Sequence, residues 1–401
     1  MILRERITQY IEQRREKILK GEVNCIPTSF RRFSEVFPGI EQGKMYLFSG
    51  ASKSSKTQIM NYMIIYNTIL YAYYHPNIII PKIFYYPLEE TKENITLRFI
   101  CYLLYTLYNI RVSPLELTST YKAHPIDPAI INLVKSEKIS KILDFYEECI
   151  TFASSRNPTG IWRDIVDYAK NNGTIYSKEY QTKDIDGTPI TKQAFDYYEP
   201  TRPNEYVMFI VDHVSLLDSE RGFTLKQTID KLCEYFVIAR NHYNYIPIVI
   251  QQQNIESIGL DAFKANKIRP TQAGLADSKD TGKAADVMFG ITNPFNYEMS
   301  DYLGYNIKLL KGNFRCLEIV LNRHGESNVI CPLYFDGAIN YYKELPKPND
   351  TAGINDVYTK VMRELRGKAE ESKETKITLL NYTKNKLFKL LKHDRITYRK
   401  K

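Results

Sequence analysis

The stretch MYLFSGASKSSKTQIM, Met45 to Met60, decides how the chain is read. Apolar residues run into Gly50, small and polar residues follow, and Lys56-Thr57 opens an apolar run at helical spacing. Strand, tight loop and helix in that order are the context of the pattern G-x-x-x-x-G-K-[ST]. Such a loop turns successive backbone N–H groups inward, and the dipole of the following helix adds to their pull on an anion. On this reading Gly50, Ala51, Ser52, Lys53, Ser54, Ser55, Lys56 and Thr57 cup a triphosphate, ATP. Lys56 then reaches the β- and γ-phosphates, and the Thr57 hydroxyl ligates Mg²⁺. Ser55 stands where the pattern has its second glycine. Serine is small, but its Cβ costs freedom at positive φ, so the stretch taken alone also reads as a Ser/Lys-rich turn.

Outward from this loop, short apolar runs alternate with helical spacing. KIFYYPLEE, CITFAS, EYVMFIVD, IPIVIQQQ and ADVMFGIT read as strands, with helices over about 57–74, through much of 91–148, after Thr159 and over Thr224–Tyr243. NIKLLK, LEIVLN and CPLYFD alternate more and suit an antiparallel edge. The fold class is α/β, a mostly parallel sheet with helices on both faces. Residues 1–21 form an amphipathic helix closed by Gly21, 22–345 the main domain, and 346–401 a basic tail. Thr174–Pro200 reads as an inserted hairpin turning at Asp186-Gly187.

A phosphate loop needs partners. Asp212 ends an apolar strand and points into the crevice where open α/β sheets bind ligands, a place for a Mg²⁺-associated carboxylate; a capping Asp is the plainer reading. A general base must polarise the attacking water. Glu89 and Glu90 both end the second strand, and either is also a helix-start acid. Gln252 ends IPIVIQQQ, placed to sense a γ-phosphate or to be a polar strand end. Arg323 follows LEIVLN before a Gly turn, where it acts on a neighbour's phosphates or is a bare turn residue.

The net charge is +9 over 401 residues. From Thr351 to Lys401 there are 14 Lys/Arg and 6 Asp/Glu, so +8 sits in the tail, which suits a polyanion or an acidic partner. The six cysteines show no C-x-x-C pair and read as buried free thiols in a reducing compartment. No stretch reads as a signal peptide or membrane span, so a cytoplasmic protein without a membrane partner is expected.

Taken in order, these pieces resemble the RecA-like ATPase domain of the DnaB-type replicative helicases over about residues 22–340. NCIPTSFRRFSEVFPGIEQGKMYLFSGASKSSKT is similar to that family's entry. YYPLEE is similar to its strand ending in Leu-Glu, which implies Glu89 as catalytic base. MFIVDHVSLL matches the Asp212 segment, VIQQQN the sensor Gln252, IRPTQAGLADSKDTGKAADVMFGI the loop and helix before a buried strand, and LNRHG the arginine-finger site at Arg323. Ser55 for Gly, Leu321 for a phosphate-contacting Lys and Ala276 for an Arg depart from the family, and nothing matches its N-terminal helical domain.

The resemblance implies an ATP- and Mg²⁺-dependent DNA helicase working as a homo-hexamer, with Lys56, Glu89, Gln252 and Arg323 catalytic and Thr57 and Asp212 at the metal. It implies single-stranded DNA along Asp218–Lys226 and Ile255–Lys283, contacted by Arg221, Lys226, Lys264, Lys267, Arg269, Lys279 and Lys283, with affinity that falls with salt. Residues 1–20 then dock on the adjacent subunit. A primase or helicase loader is an implied partner, in a phage-like replication system of a bacterial cell. Two alternatives stay open: a RecA-like, DNA-stimulated ATPase or clock-type switch without unwinding, and a degenerate nucleotide- and DNA-binding ring.

Overall fold

The computed structural model describes residues 3–121, 125–184, 186–254 and 268–363. Its main sheet has nine strands: β1 (Tyr46–Gly50), β2 (Ile80–Pro87), β3 (Ile150–Phe152), β4 (Glu205–Asp212), β5 (Ile246–Gln252), β6 (Val287–Thr292), β7 (Phe314–Asn322), β8 (Val329–Asp336) and β9 (Tyr341–Glu344). Their spatial order is β9-β8-β7-β6-β1-β5-β4-β2-β3. From β6 to β3 every pairing is parallel. From β6 to β9 every pairing is antiparallel.

Central strands that carry helices on both faces must be apolar on both, and β4 is buried at every position. Alternate residues divide the core. Val207, Phe209, Val211, Val249 and Met288 meet the helices Pro158–Asn171 and Leu225–Tyr243 on one face. Met208, Ile210, Ile248 and Ile250 meet the helical stretch 56–74 and the helices Lys92–Tyr108 and Glu137–Cys149 on the other. Phe236, fully buried in the first layer, illustrates the energetics: truncation to Ala would cost about 3–5 kcal/mol.

Local chemistry sets the helix ends. Thr224 and Gln227 form a reciprocal capping box. Asn157 accepts from Gly160 N ahead of Pro158. Asn109 and Asn244 close their helices in the left-handed region. The helix after the phosphate loop passes through a π-type stretch, Asn61–Tyr66, which the sequence did not announce.

The segment expected as an inserted hairpin pairs Gly173–Lys183 with Pro189–Pro200 in its own two-stranded sheet, turning at Gly187 with φ +86. Its base is held by Phe195 stacked on His242 at 3.8 Å and Tyr198 edge-on to Tyr243 at 5.3 Å. Nearby, Trp162, the chain's one tryptophan, stacks on Tyr235 at 4.9 Å across the pair of helices Pro158–Asn171 and Leu225–Tyr243. The N-terminal helix Leu3–Leu19 is tied down by Arg14 to Glu41 at 3.1 Å, while Ile7, Tyr10, Ile11, Ile18 and Leu19 stay exposed.

One strand expectation is corrected. NIKLLK is not a strand: Ile307–Leu310 is a helical turn capped by Asn306, which accepts from Leu309 N at 3.0 Å. Ile307 and Leu310, three apart, are both buried, a spacing that suits a helical turn as well as an apolar strand. The described residues up to Tyr297 together with Gly312–Glu344 form one compact unit. A second joins Glu298–Lys311 to the described residues from Leu345 onward. Within the second unit the Tyr305 hydroxyl donates to Pro346 O at 2.7 Å, and 351–363 is helical. Among the described residues no helix is long and apolar enough to cross a membrane.

Candidate phosphate-binding site

Gly50 closes β1, and only glycine fits there: an added Cβ would lie 2.5 Å from both Ile291 O and Ser54 Oγ. The loop turns through two left-handed residues, Lys53 (φ 59) and Ser55 (φ 69). For a residue with a Cβ this region costs about 1–2 kcal/mol. Ser55 therefore does what a glycine would do, at a cost, and its hydroxyl accepts from Arg315 Nε at 2.6 Å. Lys56 curls back so that Nζ donates to Ala51 O at 3.0 Å. Burial lowers the Lys56 pKa, while Asp212 and Glu89 pull it up.

The strand order then gathers the other candidates. β1, β5, β4 and β2 are consecutive neighbours, so their C-terminal ends make one rim. Gly50 pairs with Gln252, and Asp212 with Pro87. Thr57 Oγ1 donates to Asp212 Oδ1 at 3.1 Å, and the Tyr85 hydroxyl donates to Asp212 Oδ2 at 2.9 Å. Burial pushes the Asp212 carboxyl up to about 7; the two hydrogen bonds oppose this, and Glu89 and Glu90 add to it. A buried carboxylate oxygen beside a hydroxyl, with neutral donors around them, is an oxygen donor set that suits a hard divalent cation such as Mg²⁺. Among the described residues no group of three or more His, Cys, Asp or Glu could hold a metal. Phosphate oxygens and water would complete the shell.

The two rival acids part company. Glu90 is locked to Arg98 through both carboxylate oxygens, one pair at 2.9 Å and one shorter. Glu89 is 57% exposed, with His213 Nε2 at 3.7 Å, and it faces the Lys56–Asp212 cluster. Burial holds the His213 pKa below its ordinary value. The glutamines also differ. Gln251 is buried and clamps the following segment, donating to Ser278 O at 2.7 Å and to Ala276 O. Gln253 donates to Ser49 Oγ at 2.8 Å. Gln252, next to Gly50, makes no such side-chain bond among the described residues.

Arg323 is not brought to this rim. β7 runs antiparallel to β6, and Asn322 pairs with Val287 at the start of β6, the end remote from Gly50. Arg323 Nε donates to Ala285 O at 2.9 Å, and its Nη2 to Lys283 O. Four strand steps of about 3.3 Å lie between this level and Gly50.

Of the basic residues expected to meet DNA, Lys264 and Lys267 lie outside the described residues. Lys226 and Lys283 are exposed and share Asp280, at 4.0 and 2.5 Å, with Lys226 also 2.6 Å from Asp230. Lys279, also exposed, lies beside Asp280 in sequence, and Arg221 is exposed near the start of the same helix, Leu225–Tyr243. Arg269 stands apart, 3.5 Å from Glu318 on β7.

Three residues that hold the site went unnoticed in the sequence. Tyr85 and Arg98 lie in or after the second strand with no motif to mark them. Arg315 left one trace, a cation in the otherwise apolar start of FRCLEIVLN.

None of the protein-family models matches the chain, and none of the curated proteins does. Solved structures are similar. A phosphate-loop relative solved as an isolated ATPase domain superposes with a TM-score of 0.55 at 13% identity, covering 86% of this chain and 99% of that one. A DnaB-like replicative helicase, studied with its interactions with primase, gives 0.55 at 12%, covering 85% of this chain and 66% of that one. At such identities the likeness shows the fold, that of a RecA-like ATPase domain.

Proposed function

We propose that the chain is an ATP hydrolase that drives movement along single-stranded DNA within a ring, a motor of the replicative-helicase kind. One observation carries this reading. Lys56, Thr57, Asp212 and Glu89 converge on one rim of the sheet, while Arg323 sits at the opposite end. A complete reaction centre therefore needs the rim of one copy and the arginine of another.

In this mechanism the loop amides and Lys56 hold the β- and γ-phosphates. Glu89, exposed and unlocked, accepts a proton from water aligned with the γ-phosphate. Arg323 of a second copy meets the charge that develops on the transferred group. Bound through Thr57 and Asp212, Mg²⁺ would neutralise negative charge on the phosphate oxygens. Gln252 lies beside Gly50 and one residue from Gln251, which grips 276–278; a phosphate felt by one is felt by the segment the other holds. Lys226, Lys279, Lys283 and Arg221 are the basic residues offered to the DNA backbone. The exposed apolar side chains of Leu3–Leu19 are offered to a second copy, and a primase or loader is a partner to test.

The test is phosphate release with and without single-stranded DNA, together with strand displacement on a forked duplex. DNA-stimulated release with displacement supports the helicase. Release without displacement favours a DNA-stimulated ATPase. The absence of release above the Lys56→Ala background would leave a non-hydrolysing ring, a reading favoured by Leu321 in place of a lysine near the finger.

A further inference from the structure

Arg315 is buried, 6% exposed, and among the described residues it has no carboxylate partner. A buried cation is costly unless its donors are satisfied and a counter-charge is near. Its donors are satisfied, and all of them by neutral groups. Nε donates to Ser55 Oγ at 2.6 Å and to Ser54 O at 3.1 Å. Nη1 donates to Gly312 O at 2.8 Å and to Phe314 O at 2.7 Å. The guanidinium lies over the Phe335 ring at 4.8 Å. The Tyr342 hydroxyl, whose ring stacks on Phe335 at 4.5 Å, is 3.5 Å from Ser55 O. Burial lowers the Arg315 pKa to about 10, so the charge persists at neutral pH.

All of this converges on the one loop residue that departs from the glycine pattern. Ser55 has φ 69, a conformation that its Cβ disfavours, and it makes no side-chain cap to its own helix. Its hydroxyl is engaged from behind, by a cation anchored on β7 and β8. We propose that Arg315 is a positioning residue of the phosphate loop: it grips Ser55 in the left-handed conformation and sets an uncompensated positive charge behind the cradle, with the bound polyphosphate as its counter-ion. Serine and arginine together then replace the missing glycine. Glycine reaches the conformation freely; Ser55 is held there, and the holding group is itself attractive to phosphate.

This inference rests on the loop being a nucleotide site. The experiment is equilibrium binding of a fluorescent ATP analogue, with Mg²⁺, to the full chain, its Arg315→Gln, Arg315→Lys and Ser55→Gly variants, and the Ser55→Gly/Arg315→Gln double variant. Thermal melts without nucleotide identify any variant that has not folded. Arg315→Gln is expected to bind about ten-fold or more weakly, and Arg315→Lys to keep most of the affinity. The double variant is expected to bind better than Arg315→Gln alone, because glycine needs no grip. A purely structural role would lower the melting point without that rescue. Equal binding by wild type and Arg315→Gln, or a double variant no better than Arg315→Gln, overturns the inference. Should Arg315→Gln not fold, affinity in Arg315→Lys as low as in Lys56→Ala overturns it. No binding by the wild type would instead remove the nucleotide site itself.

Discussion

Thr57 and Asp212, 155 residues apart in the chain, are joined by a hydrogen bond of 3.1 Å between Thr57 Oγ1 and Asp212 Oδ1. One belongs to the helix that leaves the phosphate loop, the other to the end of a strand two places away in the sheet. That a hydroxyl and a buried carboxylate meet here, with Lys56 and Glu89 beside them, turns separate sequence features into one site with testable chemistry.

Lys56→Ala removes the lysine that faces Asp212 and Glu89 at the rim and should reduce phosphate release to background. Loss of a phosphate-binding charge of this kind costs about 100-fold or more in rate. The helix should still form, since alanine favours it. Release measured with a phosphate sensor, alongside far-UV circular dichroism, checks both halves.

Glu89→Gln and Glu90→Gln should behave differently. The first leaves nucleotide binding intact and lowers turnover about 100- to 10,000-fold, the range for losing a general base. The second breaks the Glu90–Arg98 fork and should lower the melting temperature with a smaller effect on turnover. Equal losses of turnover in both variants, with equal binding, would remove Glu89 from the role of base.

The Asp212 carboxyl gives a pH dependence of definite sign. Its pKa rises from 3.8 to about 7 on burial. Below the lower value it is protonated in both the folded and the unfolded chain. Between the two values the unfolded chain ionises and the folded chain does not, so stability falls as pH rises, by up to about 1.4 kcal/mol per pH unit. Above about 7 this contribution levels off. Urea unfolding without nucleotide or divalent cation should show the slope, and Asp212→Asn should flatten it. A slope unchanged in Asp212→Asn would assign it to other groups.

Arg323 at the far end of the sheet predicts complementation. Arg323→Ala should lose about 1,000-fold or more in turnover if the residue acts as an arginine finger. Mixed one to one with Lys56→Ala and allowed to exchange subunits, it should recover about a quarter of wild-type activity, from boundaries that pair an intact loop with an intact arginine. No recovery in rings shown to be mixed would mean that the arginine does not act across a boundary.

Much of this was legible in the sequence because buried parallel strands read as unbroken apolar runs, and Asp212, Gln252 and Glu89 sit at the ends of such runs. The competition between Glu89 and Glu90 was not: what separates them is Arg98, one turn into the next helix. Ile307–Leu310 misled because two buried apolar residues three apart fit either a strand or a turn of helix. Tyr341–Glu344 carries little strand signal of its own, being four residues long and running straight into the Pro-containing linker. Arg315 was hidden for another reason, since its partner Ser55 is 260 residues away and no local pattern records such a pairing.

The single indole has a practical consequence. With 32 tyrosines and one tryptophan, emission excited at the red edge of the protein band comes from one place, Trp162 stacked on Tyr235. Tyr235 belongs to the helix Leu225–Tyr243, whose first turn carries Lys226 and its ties to Asp230 and Asp280. Any sliding of that helix against Pro158–Asn171 would change the ring overlap and so the colour and polarisation of the light. The molecule thus contains its own optical gauge, readable without a dye.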